Sequence, residues 1–174
     1  AGVEVDPFSA WMARVFLEAA LWPHCAAAGV RVPAGLVEVR DALDMPDGWR
    51  GGFDLVVGNP PYGRVTLERE QRERFARSLY GHANLYGLFT DLAVRLLTPG
   101  GIVGYVTPTS FLGGLYHSNL RRLLAAETPP AAVDFVTDRS GVFDDVLQET
   151  LLVVYSRRGG GGCAPVHTIR PVAL

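Results

Sequence analysis

The sequence predicts an α/β fold: a mostly parallel sheet with helices on both faces, ending in an antiparallel hairpin. Three observations carry that prediction. Short apolar runs of strand length alternate with segments of 3.6-residue periodicity along the chain. Proline, glycine and asparagine punctuate their borders. The run Phe53 to Val57 is apolar almost throughout, as a strand buried on both faces of a parallel sheet should be.

The elements follow in order. Ala1 to Val5 reads as a strand already under way, and with no initiator methionine ahead of it the chain reads as the interior of a longer protein. Asp6-Pro7 supplies a cap and a first-turn proline. From Phe8, the residues Trp11, Met12, Val15, Phe16, Ala19 and Ala20 gather one helical face, which ends before Gly29. Leu36 to Val39 and Phe53 to Val57 are the second and third strands. Glu68 to Arg77 carries i, i+4 pairs of opposite charge (Glu68 with Arg72, Glu70 with Arg74, Glu73 with Arg77), which suits either a solvated helix face or a nucleic-acid contact.

Asn84 caps a strongly periodic helix with the face Leu85, Leu88, Phe89, Leu92, Ala93, Leu96 and Leu97, which Pro99-Gly100-Gly101 stops. Ile102 to Val106 is a buried strand, Ser118 to Ala126 a helix, and Ala132 to Val136 a strand. Thr150 to Tyr155 and Val166 to Ile169 are expected to form the closing hairpin across the turn Gly159 to Gly162. In such a sheet, ligands bind beyond the carboxyl ends of the strands, so the loops after strands hold the functional residues.

Composition narrows the function. The 174 residues carry 16 Lys plus Arg against 18 Asp plus Glu, a net charge of −2, so no global field recruits DNA or an anionic membrane. Cys25 and Cys163 match no metal or redox spacing, and the four histidines are scattered. With no run of about 18 apolar residues and no leader, the chain reads as a soluble cytoplasmic protein without a membrane partner.

The most informative stretch is Gly58-Asn59-Pro60-Pro61-Tyr62-Gly63, directly after the third strand. Two prolines stiffen the loop and remove backbone donors, so its carbonyls can face a cavity as acceptors. Asn59 adds a side-chain acceptor, and Tyr62 a flat face on which a ring can stack. A stiff turn of no chemical consequence is the other reading of these residues.

This loop resembles the Asn-Pro-Pro-Tyr motif of S-adenosylmethionine-dependent amino-methyltransferases, above all the N6-adenine DNA methyltransferases of restriction-modification systems. The resemblance extends through Gly2-Val3-Glu4-Val5-Asp6-Pro7, Arg40-Asp41-Ala42-Leu43, Asn84-Leu85-Tyr86-Gly87-Leu88-Phe89 and Gly141-Val142-Phe143-Asp144-Asp145-Val146. Cofactor motifs ahead of the catalytic loop are the order of the gamma class. The resemblance implies a Rossmann-like methyltransferase fold and a single truncated catalytic domain. Its cofactor half is residues 1–58 approximately, its catalytic and target-base half 59–174. The family's first strand and glycine loop are expected ahead of Ala1, and a target-recognition domain after Leu174, with a nuclease domain or subunit as a further partner.

Carried residue by residue, the resemblance implies that Glu4, with Val5 beside it, binds the cofactor ribose and that Asp41, with Ala42, binds the cofactor adenine. Pro61 and Phe89 also face the cofactor, although Phe89 lies on an apolar stripe that packing explains. Asp6 reads as a helix cap and Asp44 as a turn residue. Asn59 Oδ1 and the Pro60 carbonyl hold the amino hydrogens of an adenine flipped out of double-stranded DNA, stacked between Tyr62 and Phe143. Phe143 anchoring its own loop is the other reading. Two further functions stay open: methylation of a release-factor glutamine amide, whose enzymes share this loop, and a non-catalytic methyltransferase-like binding module. The helix motif Asn84 to Phe89 and the Phe143 loop favour the DNA enzyme.

Overall fold

The computed structural model describes residues 1–45, 47–136, 150–158 and 163–169. The chain groups into two compact units, Ala1–Asp47 and Gly48–Leu174.

In the first unit, strand β1 (Gly2–Glu4) pairs in parallel with β2 (Val37–Val39), with Glu4 opposite Val39. Helix α1 (Pro7–Ala27) connects them and packs on both. Asp6 caps it as expected, its carboxylate accepting from the Ser9 amide at 2.7 Å. The expected buried stripe is not buried. Ala10 is the one fully enclosed residue of the helix, whereas Trp11, Met12, Val15 and Phe16 remain exposed, Phe16 at 71%. Two strands of three residues are too narrow to cover a helical face of that width.

The second unit is built on a five-stranded sheet of order β3-β6-β8-β7-β9, from β3 (Phe53–Gly58), β6 (Leu97–Pro108), β7 (Pro130–Val136), β8 (Thr150–Ser156) and β9 (Val166–Ile169). Strands β3, β6, β7 and β9 run one way and β8 the other, so the sheet is mostly parallel in direction. Antiparallel pairing does close the chain, but the hairpin partner of β8 is β7 rather than β9. The reason is geometric. Both edges of β8 are already taken by β6 and β7, so β9 adds to the outer edge of β7, with Val133 opposite Val166. The turn Gly159 to Gly162 lies outside the described residues.

One face of this sheet carries Val56, Val103, Tyr105, Val133, Leu151, Val153 and Tyr155, which form the core with helices α3 (Leu85–Leu96) and α5 (Ser118–Glu127) and with Phe111 of the short α4 (Ser110–Gly113). On the alternate face Leu55 is 58% and Val57 69% exposed. Helix α3 begins where Asn84 Oδ1 accepts from the Tyr86 amide at 3.2 Å. Of its expected face, Leu88, Leu92, Ala93, Leu96 and Leu97 are buried and Leu85 and Phe89 half-buried, while Tyr86 and Val94 are enclosed as well. The chain then turns straight into β6, where a side chain at Gly101 would stand 3.1 Å from the Phe53 carbonyl oxygen. A larger residue there would need the neighbouring backbone to give by a few tenths of an ångström.

Two short elements were not apparent from periodicity. Strand β4 (Arg64–Val65) pairs antiparallel with β5 (Ala83–Asn84), tying the residues after the Asn-Pro-Pro-Tyr loop to the start of α3. Between them lies α2 (Arg69–Arg74). Among the described residues no helix is long and apolar enough to cross a membrane.

Candidate functional site

The candidate residues fall into one group in each unit. In the first, Glu4 ends β1 and Asp41 follows the end of β2. Because these strands are parallel, both carboxylates leave the same edge, and the Arg40 amide donates to the Glu4 carbonyl at 3.0 Å across it. Each acid is held by its own loop. Glu4 Oε1 accepts from the Asp6 amide and Asp41 Oδ1 from the Leu43 amide, both at 2.9 Å. Each keeps a second oxygen with no hydrogen-bond partner among the described residues. Two oriented carboxylate acceptors on neighbouring strand ends suit a nucleoside, whose vicinal hydroxyls and exocyclic amine are donors. Val5 is exposed beside Glu4, and Ala42 opens the turn after Asp41. S-adenosylmethionine, the cofactor that the sequence resemblance implies, carries such a nucleoside, so the residues fit it.

In the second unit the Asn-Pro-Pro-Tyr loop leaves β3 at Gly58, which pairs with Tyr105 of β6. Asn59 is exposed, Pro60 buried and Pro61 exposed, so the loop is anchored at Pro60 and open on either side of it. Tyr62 is half-buried and packs against the core. Its hydroxyl lies 3.1 Å from Asn59 Oδ1 and 3.2 Å from the Val106 carbonyl on β6. The same loop thus holds a ring, a side-chain acceptor and a polar link to the central strand. Phe89 is half-buried on α3, and its carbonyl accepts from the Tyr105 hydroxyl at 3.4 Å. Phe143, the expected second stacking ring, lies outside the described residues, with the whole segment 141–146.

Behind the loop the segment carrying α2 is pinned by a buried acid. Asp91 of α3 is fully enclosed and accepts from Arg77 Nε at 2.8 Å, Arg95 Nε at 2.9 Å and Ser78 Oγ at 2.6 Å. Arg77 also reaches Glu127 of α5 at 3.1 Å. Burial alone would raise the Asp91 carboxyl, but the hydrogen bonds from Arg95, Arg77 and Ser78 outweigh it and hold it below the usual carboxylate value. The expected pairing of Arg77 with Glu73 is therefore replaced: Glu73 takes Arg69 at 2.9 Å, and Arg77 is drawn into the enclosed site, where a carboxylate must be neutralised. Of this cluster only the i, i+4 spacing of Asp91 and Arg95 was visible in the sequence.

The model of the Eco57I restriction-modification methylase family matches residues 6–143. The chain is 30% identical over 122 residues to the Type II methyltransferase M.PaeR7I of Pseudomonas aeruginosa, covering 67% of this chain and 21% of that protein. It is 39% identical over 92 residues to M.TthHB8I of Thermus thermophilus, covering 45% and 22%. It thus spans about a fifth of the curated relatives it matches. Among solved structures, the Type ISP restriction-modification enzyme LlaGI, in complex with a DNA substrate mimic, superposes with a TM-score of 0.68 at 14% identity, over 97% of this chain and 20% of that one. A Listeria monocytogenes protein assigned to the class I S-adenosylmethionine-dependent methyltransferases gives 0.54 at 16% identity, over 67% and 36%.

Proposed function

The chain belongs to the Eco57I restriction-modification methylase family, and from that premise we propose that it is the catalytic segment of a DNA methyltransferase acting on the N6 amino group of an extruded adenine. The observation that carries the reading is the acceptor pair at the end of β3, Asn59 Oδ1 and the Pro60 carbonyl, on a loop stiffened by two prolines.

The chemistry requires acceptors rather than a metal or a strong base. The N6 lone pair of adenine is delocalised into its ring. Asn59 Oδ1 and the Pro60 carbonyl, each accepting one amino hydrogen, hold the nitrogen pyramidal and localise the pair. S-adenosylmethionine supplies an electrophilic methyl on its sulfonium. Bound there, it would give up that methyl and leave as a neutral thioether, and Asn59 Oδ1 and the Pro60 carbonyl would face the positive charge developing on the amino nitrogen. One proton then leaves the nitrogen for water.

In this reading Glu4, flanked by Val5, receives the cofactor ribose hydroxyls, and Asp41, with Ala42, its adenine amine. Pro61 and Phe89 supply apolar contact, and Tyr62 with Phe143 stacks on the target base, offsetting part of the few kcal/mol that extrusion costs. The segment 1–174 then acts as one catalytic domain within a longer protein. Its DNA-reading domain follows this segment, and a nuclease domain or subunit completes the restriction-modification system.

The test is methyl transfer by the complete protein from labelled S-adenosylmethionine to unmethylated duplex DNA and, in parallel, to release factor. Label recovered as N6-methyladenine supports the reading. Label on the release factor alone, or as N4-methylcytosine, overturns it.

A further inference from the structure

Beside the Asn-Pro-Pro-Tyr loop the second unit has an open recess of about 210 Å³, lined by Arg64, His82, Asn84, Ser110, Tyr116 and His117 among others. Its construction is local to the loop. Arg64 stands opposite Asn84 in the β4–β5 ladder, and the Leu85 amide donates to the Gly63 carbonyl at 2.9 Å, so the recess and the Asn-Pro-Pro-Tyr turn share one backbone frame. Tyr116 is its platform. The Arg64 guanidinium carbon lies 6.0 Å above that ring, and His82 meets it edge-on at 5.5 Å. Gly81, at φ +68, passes so near that a β-carbon would stand 2.9 Å from the same ring.

The lining has a definite chemical character. Among the described residues no carboxylate borders it. Arg64 forms no ion pair among the described residues, in contrast to Arg69, Arg77, Arg95 and Arg157, each of which meets a carboxylate. His117 is only 8% exposed, yet its ring nitrogens have no hydrogen-bond partner among the described residues. Burial first, and then the charge of Arg121, lower its proton affinity, so it contributes a neutral N–H. Asn84 Oδ1 is spent on capping α3, which leaves the amide nitrogen as a donor. One guanidinium charge with donors from Asn84 and His117 beside it matches a singly charged group rich in acceptor oxygens. Arg64 also lies two residues beyond Tyr62, about 7 Å of extended chain, so a nucleotide whose base meets Tyr62 can place its backbone at Arg64.

We propose that this recess holds a backbone phosphodiester of the strand that carries the target base, with Arg64 as its charge partner. The proposal rests on the DNA-methylating reading above and adds a site to it.

The complete protein is assayed for methyl transfer to plasmid DNA over a range of DNA and salt concentrations. Arg64→Gln is expected to raise KM for DNA about tenfold and to lower the slope of log KM against log salt by about 0.9, the value for one lost phosphate contact. Arg64→Lys, which keeps the charge, restores the slope. Arg69→Gln, whose charge already pairs with Glu73 on an exposed helix, leaves both quantities at the parent values. An Arg64→Gln protein with the parent slope, or with its loss confined to kcat, overturns the phosphate site while the DNA reading stands. A parent protein that transfers no methyl to DNA overturns that reading and this proposal together.

Discussion

The Tyr62 hydroxyl stands 3.1 Å from Asn59 Oδ1. A phenol has one proton to donate, and the Val106 carbonyl, 3.2 Å away, competes for it. When the proton turns to Val106, Asn59 Oδ1 is released, and in the proposed function it is then free to accept from the substrate amine. When it turns back, the amide is held in the orientation it needs. Under the proposed function, Tyr62 would therefore join a stacking surface to the positioning of the neighbouring acceptor.

That arrangement separates two roles of one side chain. Tyr62→Phe keeps the ring and loses the link, so kcat should fall about five- to tenfold, the worth of one neutral hydrogen bond. Tyr62→Ala also removes the stacking face, and a loss of at least a hundredfold is expected. Single-turnover rates at saturating DNA distinguish them, and equal losses in the two variants would leave the hydroxyl without a part.

Asn59 is exposed and packs against nothing in the core, so its removal should be a chemical rather than a structural change. Asn59→Ala is expected to lower methyl transfer by about a thousandfold or more, the scale of a lost preorganised dipole. S-adenosylmethionine affinity, read by calorimetry, should stay within tenfold. Unchanged turnover would remove Asn59 from the mechanism.

Glu4 offers the converse pattern. Replacing it with Gln keeps the shape but turns two charge-assisted hydrogen bonds to the ribose into neutral ones, at a cost of about 1.5–3 kcal/mol. Cofactor binding should weaken roughly tenfold to a hundredfold, with the rate at saturating cofactor little affected. A Kd equal to that of the parent would place the ribose elsewhere.

Asp91 makes a stability prediction with a definite sign. Its folded carboxyl titrates below the unfolded one, so its contribution is fully present above the unfolded value of about 3.9 and is lost as pH falls through the folded one. Asp91→Asn leaves Arg77 and Arg95 without their enclosed counter-charge and should cost about 3–5 kcal/mol. In urea titrations the difference between parent and variant should narrow below pH 4. A gap that widens on acidification would contradict the assignment.

The Tyr155 hydroxyl is buried facing that of Tyr86, and neither meets a hydrogen-bond partner in good geometry among the described residues. Burial pushes its pKa up, as expected of a phenol kept from water. Tyr155→Phe removes a desolvated polar atom and keeps the packing, so it should be neutral or stabilising by up to about 1 kcal/mol. Thermal denaturation checks it, and a loss above that size would reveal a hydrogen bond the hydroxyl makes.

Local chemistry written in consecutive residues was readable from the sequence alone. Asp6 before Pro7, Asn84 before an apolar stripe and the run from Phe53 into Asn59-Pro60-Pro61-Tyr62 each specify a cap, a helix or a strand-to-loop transition within a few residues, because hydrogen bonds and φ limits act at that range. The ordered motifs also identified the family. Tertiary structure alone decided the rest. It put β9 beside β7 rather than β8, sent Arg77 to Asp91 instead of Glu73, set Tyr62 against Val106 and gathered Arg64, His82 and His117 around one recess. Those outcomes depend on which strand edges remain free and which charges become enclosed, and both are settled only when residues tens of positions apart compete for the same partner.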